Sequence, residues 1–281
     1  MTRLLVSVRS VEEARIALDA RVDLIDFKEP RRGSLGAVDA STAAEIIQAI
    51  GGRAPLSMAC GELLSSASDV GQASAGSSPS GRGWVRAEAS SSTAADLRMK
   101  PAQTPGSWGI AALCRQPPPG VSYAKLGLAG CATIADWPRR WADWIAGLPA
   151  GAAPVAVAYA DWQAVEAPPP GEVLEHAAGL GCRAVLVDTF DKSGGDLLRH
   201  LSIEELSRFV QDVRGRRLLS VLAGSLSWEN LPRVLEAQPD YVAVRGAVCS
   251  GPREAALDGG LVRQWVERLH GRSGIVADRG Y

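Results

Sequence analysis

The chain has 281 residues, 46% hydrophobic and 22% charged, with a formal net charge of −1. These values exclude a disordered or fibrous chain, and near-neutrality without a basic block argues against nucleic acid as a partner. No apolar run reaches the ~18 residues of a membrane span, and strand-like sequence begins by Leu4, leaving no room for a signal peptide, so a soluble cytoplasmic protein is expected.

Arg3 to Val8 reads as a buried strand. Ser10 and Glu13 have capping-box spacing and predict a helix to about Ala20. Val22 to Phe27 is the second predicted strand, with Glu29 to Gly36 as its exit loop. A helix over Thr42 to Ile50 and a strand over Pro55 to Ala59 follow. From about Leu64 to Gly106 the sequence turns rich in Ser, Ala, Gly and Pro, with few large apolar residues. Such a stretch buries too little surface to offset its ordering entropy, so 64–106 is expected to be a long, partly disordered insertion after strand three. Trp108 to Cys114 is the segment expected to resume the fold as a helix.

Val121 to Leu128 is the fourth predicted strand and carries Lys125. Ala135 to Leu148 is a predicted helix with Trp137, Trp141 and Trp144 on one face. That face suits the shell of one barrel and equally a subunit contact, so a homo-oligomer stays open. Further strands are predicted over Pro154 to Tyr159, Arg183 to Val187, Arg217 to Leu222 and Tyr241 to Val244. Helices are predicted over Gly171 to Leu180, Ser202 to Val213 (with a second capping box, Ser202 to Glu205), Trp228 to Glu236, and Asp258 to Leu269. The tail, 271–281, is expected to fray.

Eight apolar strands alternating with helices predict the α/β class and a (β/α)8 TIM-like barrel, one catalytic domain over 1–270. The competing fold is a doubly wound open sheet, but the turn after Val8 lacks the Gly-rich fingerprint of that fold.

Of the 30 basic residues only four are lysines, Lys28, Lys100, Lys125 and Lys192. Lysine can shed its proton and act as base or nucleophile, whereas arginine cannot. Asp26 and Lys28 are two apart and share one strand face. In a barrel the active site lies at the C-terminal strand ends. Lys28, Lys125 and Lys192 are expected there, with Asp26, Asp188 and Asp161. Crowding and desolvation would depress an amine's pKa, giving a nucleophile toward an aldehyde. The aspartates would move protons, or simply pair with the lysines. Small residues at the ends of strands seven and eight, Gly224, Ser225, Gly246 and Ala247, with Arg245, form the expected phosphate seat.

Five scattered cysteines without a CxxC, and three histidines placed in or beside helices, predict reduced thiols and neither structural zinc nor a catalytic metal. No P-loop or Ser-His-Asp arrangement is visible, and no cofactor is expected. A class I aldolase acting on a phosphosugar, and a silent phosphometabolite-binding barrel, both fit these residues.

The strings Leu4-Leu5-Val6-Ser7, Asp23-Leu24-Ile25-Asp26-Phe27-Lys28-Glu29-Pro30 and Gly33-Ser34-Leu35-Gly36-Ala37 resemble the (5-formylfuran-3-yl)methyl phosphate (4-HFC-P) synthase family of methanofuran biosynthesis. So do Tyr123-Ala124-Lys125-Leu126-Gly127, Tyr159-Ala160-Asp161, Leu186-Val187-Asp188-Thr189, Leu222-Ala223-Gly224-Ser225 and Val244-Arg245-Gly246-Ala247. The resemblance implies a barrel lyase that condenses two glyceraldehyde 3-phosphates, losing water and one phosphate. It implies a Schiff base on Lys28 and proton acceptance by Lys125, with Asp26, Asp188 and Lys192 completing the site. The enamine is expected to add to the second aldehyde. The 64–106 stretch departs from the compact archaeal pattern and puts the placement of Gly61 and Glu62 in doubt.

Overall fold

Each apolar run marked as a strand pairs in parallel with the next, in a computed structural model that describes residues 1–64 and 117–271. The strands are β1 (Arg3–Val8), β2 (Leu24–Phe27), β3 (Leu56–Glu62), β4 (Tyr123–Gly127), β5 (Ala153–Tyr159), β6 (Ala184–Asp188), β7 (Leu219–Leu222) and β8 (Tyr241–Val244). They close in chain order into a barrel, with β8 returning to β1. The outer helices are α1 (Val11–Asp19), α2 (Ala40–Ile50), α3 (Trp137–Ala146), α4 (Pro170–Gly179), α5 (Leu197–His200), α6 (Ile203–Gly215), α7 (Leu231–Val234) and α8 (Gly259–His270). The 65–106 part of the expected insertion, Lys100, the helix expected over Trp108 to Cys114, and the tail beyond Gly271 lie outside the described residues.

Strand parity divides the core into two shells. Leu4, Val6, Ile25 and Phe27 face outward and pack with helix residues such as Ile46, Trp141, Val210 and Trp265. Leu5, Leu24, Val157, Leu186 and Tyr241 fill the barrel interior. Asp26 has the inward parity of Leu24, Lys125 that of Tyr123, and Asp188 that of Leu186. The register sets Asp26 of β2 beside Ser7 of β1. Trp137, Trp141 and Trp144 are all buried within the chain, so that face belongs to the shell of this barrel. Among the described residues no helix is long and apolar enough to cross a membrane.

Three local departures from the expected elements matter for the site. The Ser10 hydroxyl accepts the Glu13 N–H, but the Glu13 carboxylate is drawn instead to Arg9 N–H (2.9 Å) and the Arg245 guanidinium (2.8 Å), leaving half a capping box. The box at Ser202 and Glu205 is complete. The helix expected from Trp228 begins only at Leu231, because Asn230 turns back to accept the Ser227 N–H at 2.8 Å. β3 runs on to Glu62 through a register shift, with Gly61 at φ 84.

Candidate active site

The exit loop of β2 shapes the mouth. Glu29 N–H donates to the Gly36 carbonyl at 2.8 Å, and a Cβ on Gly36 would sit 2.3 Å from the Glu29 carbonyl oxygen, so only glycine closes the loop this tightly. The loop folds inward. Leu35 is 1% exposed and joins the interior cluster, and its carbonyl accepts Gly61 N–H at 2.8 Å. The buried Ser34 hydroxyl reaches across to Asp188 Oδ2 (3.3 Å) and the Thr189 carbonyl (3.1 Å). The Gly-Ser-Leu-Gly string is therefore a plug that closes part of the barrel mouth.

A cavity of about 260 Å³ remains open beside it. Ser7, Asp26, Lys28, Lys125, Asp188 and Lys192 line it from β1, β2, β4 and β6, and Gly224 to Ser227, Arg245 to Ala247 and Arg253 line it from the β7 and β8 exits. All three predicted lysines converge here.

Two of the lysines are committed to carboxylates. Lys125 Nζ is 2.6 Å from Asp26 Oδ1, and both side chains are buried. That oxygen accepts no aligned hydrogen bond among the described residues, so the attraction is chiefly charge on charge. Asp26 Oδ2 accepts from the Ser7 hydroxyl at 3.0 Å. Lys192 Nζ is 2.6 Å from Asp188 Oδ1 and also donates to the Thr189 carbonyl. Burial alone would raise the Asp188 pKa, but the Lys192 and Lys28 ammoniums, with hydrogen bonds from Lys192 and Thr189 N–H, hold it below the usual carboxylate value.

Lys28 differs. Among the described residues no carboxylate lies within ion-pair distance of its Nζ, although the side chain is buried against the mouth. Desolvation lowers its pKa to about 8; Lys192 and Lys125 push the same way, against Asp188 and Asp26. Burial rather than crowding is the main cause. Near physiological pH roughly a tenth to a fifth of such an amine is neutral, far more than of an ordinary lysine, and the neutral share grows as pH approaches 8.

The β7 and β8 turns are built for close approach. Gly224 has φ 101 and a Cβ there would meet Thr189 Cγ2 at 3.1 Å. Ser225, at φ 50, is also left-handed. Gly246 and Ala247 open a short 3-10 helix, whose first N–H groups have no intrahelical acceptor.

The side chains of two predicted site residues hold protein partners. Arg245 lines the cavity, and its guanidinium donates to Glu13, the Ser7 carbonyl and the carbonyls of Arg253 and Ala255. The Asp161 carboxylate accepts the N–H groups of Phe190 and Asp191, each at 2.8 Å, and so anchors the β6 exit loop. Strand-end position fixes where a residue sits, not which way its side chain turns. The lining residues that were not singled out from the sequence as site residues include Ser7, Ser225's neighbours Leu226 and Ser227, and Arg253.

A second polar group sits at the ends of β3 and β5. The Tyr159 hydroxyl donates to Glu62 Oε1 at 2.5 Å, and Ala129 N–H donates to Oε2 at 3.0 Å. Desolvation raises the Glu62 pKa to about 7, against those two hydrogen bonds. A Cβ on Gly127 would lie 2.0 Å from Glu62 Oε2, which explains the glycine two residues after Lys125. Among the described residues no group of three or more His, Cys, Asp or Glu could hold a metal ion.

The fold and the polar mouth define the class: a (β/α)8 barrel with amines, carboxylates and small-residue turns gathered at the C-terminal strand ends. The sequence model of the 4-HFC-P synthase family matches residues 4–87 and 83–266, and the chain belongs to that family. The (5-formylfuran-3-yl)methyl phosphate synthase of Methanopyrus kandleri is 31% identical over 272 residues, covering 95% of this chain and 98% of that protein. The Archaeoglobus fulgidus synthase is 28% identical over 272 residues, covering 96% and 100%. Among solved structures, phosphoribosyl anthranilate isomerase from Thermus thermophilus superposes with a TM-score of 0.54 at 14% identity, over 96% of this chain and 100% of that one. That likeness concerns the fold alone.

Proposed function

We propose that the chain is a lyase that condenses two glyceraldehyde 3-phosphate molecules into (5-formylfuran-3-yl)methyl phosphate through a Schiff base on Lys28, supplying the furan of methanofuran or an analogue. The observation that carries this reading is Lys28 itself: an amine in the mouth without an ion-pair partner among the described residues, with its pKa lowered to about 8, beside two lysine–carboxylate pairs.

The neutral Lys28 amine adds to the aldehyde of the first triose and expels water. Lys125 Nζ lies 2.6 Å from Asp26 Oδ1, so Lys125 passes a proton to Asp26 and takes the C2 proton in its place. The resulting enamine expels the C3 phosphate to give an iminium conjugated to the C2–C3 enol, and loss of the enol proton makes C3 the nucleophile. The product skeleton joins that C3 to C2 of the second triose, which keeps its phosphate. The second triose therefore reacts as its ketone isomer, in place of direct addition to the second aldehyde. Ring closure and loss of two waters give the furan, with the Asp188–Lys192 pair supplying protons to the leaving oxygens, and hydrolysis of the imine takes up the water expelled at the start, freeing the aldehyde and Lys28. The atom balance is two trioses to one furan, one phosphate and two waters. Every step is imine or acid–base chemistry, so the scheme calls for no cofactor. Phosphate is received by the N–H groups of the Gly224–Ser225 and Gly246–Ala247 turns.

Incubation with glyceraldehyde 3-phosphate tests the reading. A near-ultraviolet absorbance from the conjugated furaldehyde should rise in step with one released phosphate per furan. An aldol adduct without absorbance or phosphate release would favour another class I aldolase, and binding without turnover a silent barrel.

The free-amine requirement sets a pH dependence. Below about 8 the Lys28 amine is protonated and loses nucleophilicity. The rate of imine formation should thus rise about tenfold per pH unit up to that point and level off above it. A pH profile of borohydride-trapped adduct measures this; a profile flat from pH 6 to pH 9 contradicts it.

A further inference from the structure

We infer that Arg253 is the cation that reads the substrate phosphate, and that the buried Glu13–Arg245 pair holds its loop against the mouth. This rests on the triose phosphate reading above.

A phosphate in the cavity needs positive charge, and the lysines are spoken for. Lys125 and Lys192 are paired with Asp26 and Asp188, and Lys28 becomes the imine. The turn N–H groups are neutral. Arg253 lines the same cavity beside Ser225, Ser227, Gly246 and Ala247. Its ion-pair contact is with the adjacent Glu254, Nε to Oε1 at 3.8 Å, beyond hydrogen-bond reach, and both side chains are partly exposed. The guanidinium can therefore offer the planar fork that matches phosphate oxygens.

The backbone under Arg253 is fixed from below. Arg245 Nε donates to the Arg253 carbonyl at 2.7 Å and Nη2 to the Ala255 carbonyl at 3.2 Å, bracketing the residue. Arg245 is itself held by two hydrogen bonds to the Glu13 carboxylate of α1, at 2.8 and 3.2 Å. A Cys249–Leu257 bridge closes the base of the loop. Glu13 and Arg245 are thus positioning residues, one step removed from substrate.

The test uses the full chain and inorganic phosphate as probe, with wild type, Arg253→Gln, Arg253→Lys and Glu13→Gln. Arg253→Gln takes away a charge-assisted hydrogen bond to phosphate. It should raise both the phosphate dissociation constant and KM for glyceraldehyde 3-phosphate about tenfold to a hundredfold. kcat should fall less than KM rises. Arg253→Lys should recover part of the affinity. Trapping of unphosphorylated glyceraldehyde should change less than trapping of the phosphate ester. Glu13→Gln should reproduce the KM rise and add little to Arg253→Gln in the double variant.

An Arg253→Gln variant that binds phosphate within twofold of wild type overturns the inference. Additive effects of Glu13→Gln and Arg253→Gln overturn its positioning half. Phosphate binding that depends on Arg253 in a protein that makes no furan supports the inference and rejects the proposed reaction.

Discussion

Lys28→Ala is expected to lower turnover of glyceraldehyde 3-phosphate by roughly 10³-fold or more, the scale seen when a covalent nucleophile is removed. Lys28→Arg should be no better, since guanidinium does not lose its proton at working pH and cannot form the imine. The folded protein should tolerate the change. At neutral pH the buried ammonium of Lys28 has no ion-pair partner among the described residues and is destabilised by desolvation. The sign follows from linkage: its folded pKa, about 8, lies below the ordinary lysine value of 10.5, so between them the unfolded chain binds more protons. Lys28 thus weakens the fold below about pH 8, and this cost is relieved as pH rises from there toward 10.5. Lys28→Met should therefore be at least as stable as wild type at pH 7 while being inactive. Denaturant unfolding and single-turnover assays check the two halves; an inactive variant that is also strongly destabilised contradicts this role for Lys28.

Lys125→Met is expected to fail in both respects. Its amine is 2.6 Å from Asp26, which is 0% exposed. Removing one partner of a buried pair leaves an uncompensated charge and should cost about 3–5 kcal/mol. Loss of the proton acceptor should lower turnover by a further factor of about 10² to 10⁴ among the molecules still folded. The Asp26→Asn/Lys125→Met double variant removes both charges and leaves the Ser7 hydroxyl a neutral amide partner. It should regain most of the stability and none of the activity. Restored stability without turnover assigns the pair to chemistry. Restored turnover would show that neither residue handles the substrate proton.

Those two predictions draw on features readable in the sequence. Asp26 and Lys28 two apart in an apolar run could only share a face, and the scarcity of lysine singled out the residues that meet at the mouth. The alternation of strand and helix was enough for the barrel, because a closed parallel sheet with outer helices buries such runs on both faces. Trp137, Trp141 and Trp144 also followed their periodicity into the core.

Other features depended on contacts between residues distant in the chain, which periodicity does not carry. Glu13 has the spacing of a capping residue, yet its carboxylate is claimed by Arg245, 232 positions later. Arg245 and Asp161 stand at strand ends as substrate ligands would, but each finds protein acceptors or donors that consume its side chain. Arg253 sits in an aperiodic loop whose backbone path is set by Arg245, so nothing local distinguishes it from other surface arginines. The Gly33 to Gly36 string has turn residues at both ends, but only the inward seat of Leu35 and the reach of Ser34 to Asp188 make it a plug.

Borohydride reduction in the presence of glyceraldehyde 3-phosphate, followed by peptide mass analysis, tests the central claim most directly. A reduced triose adduct is expected on the peptide bearing Lys28, formed faster as pH rises toward 8. An enzyme that makes the furan yet carries no adduct, or carries it on Lys125 or Lys192 with Lys28 unmodified, would contradict the imine assignment.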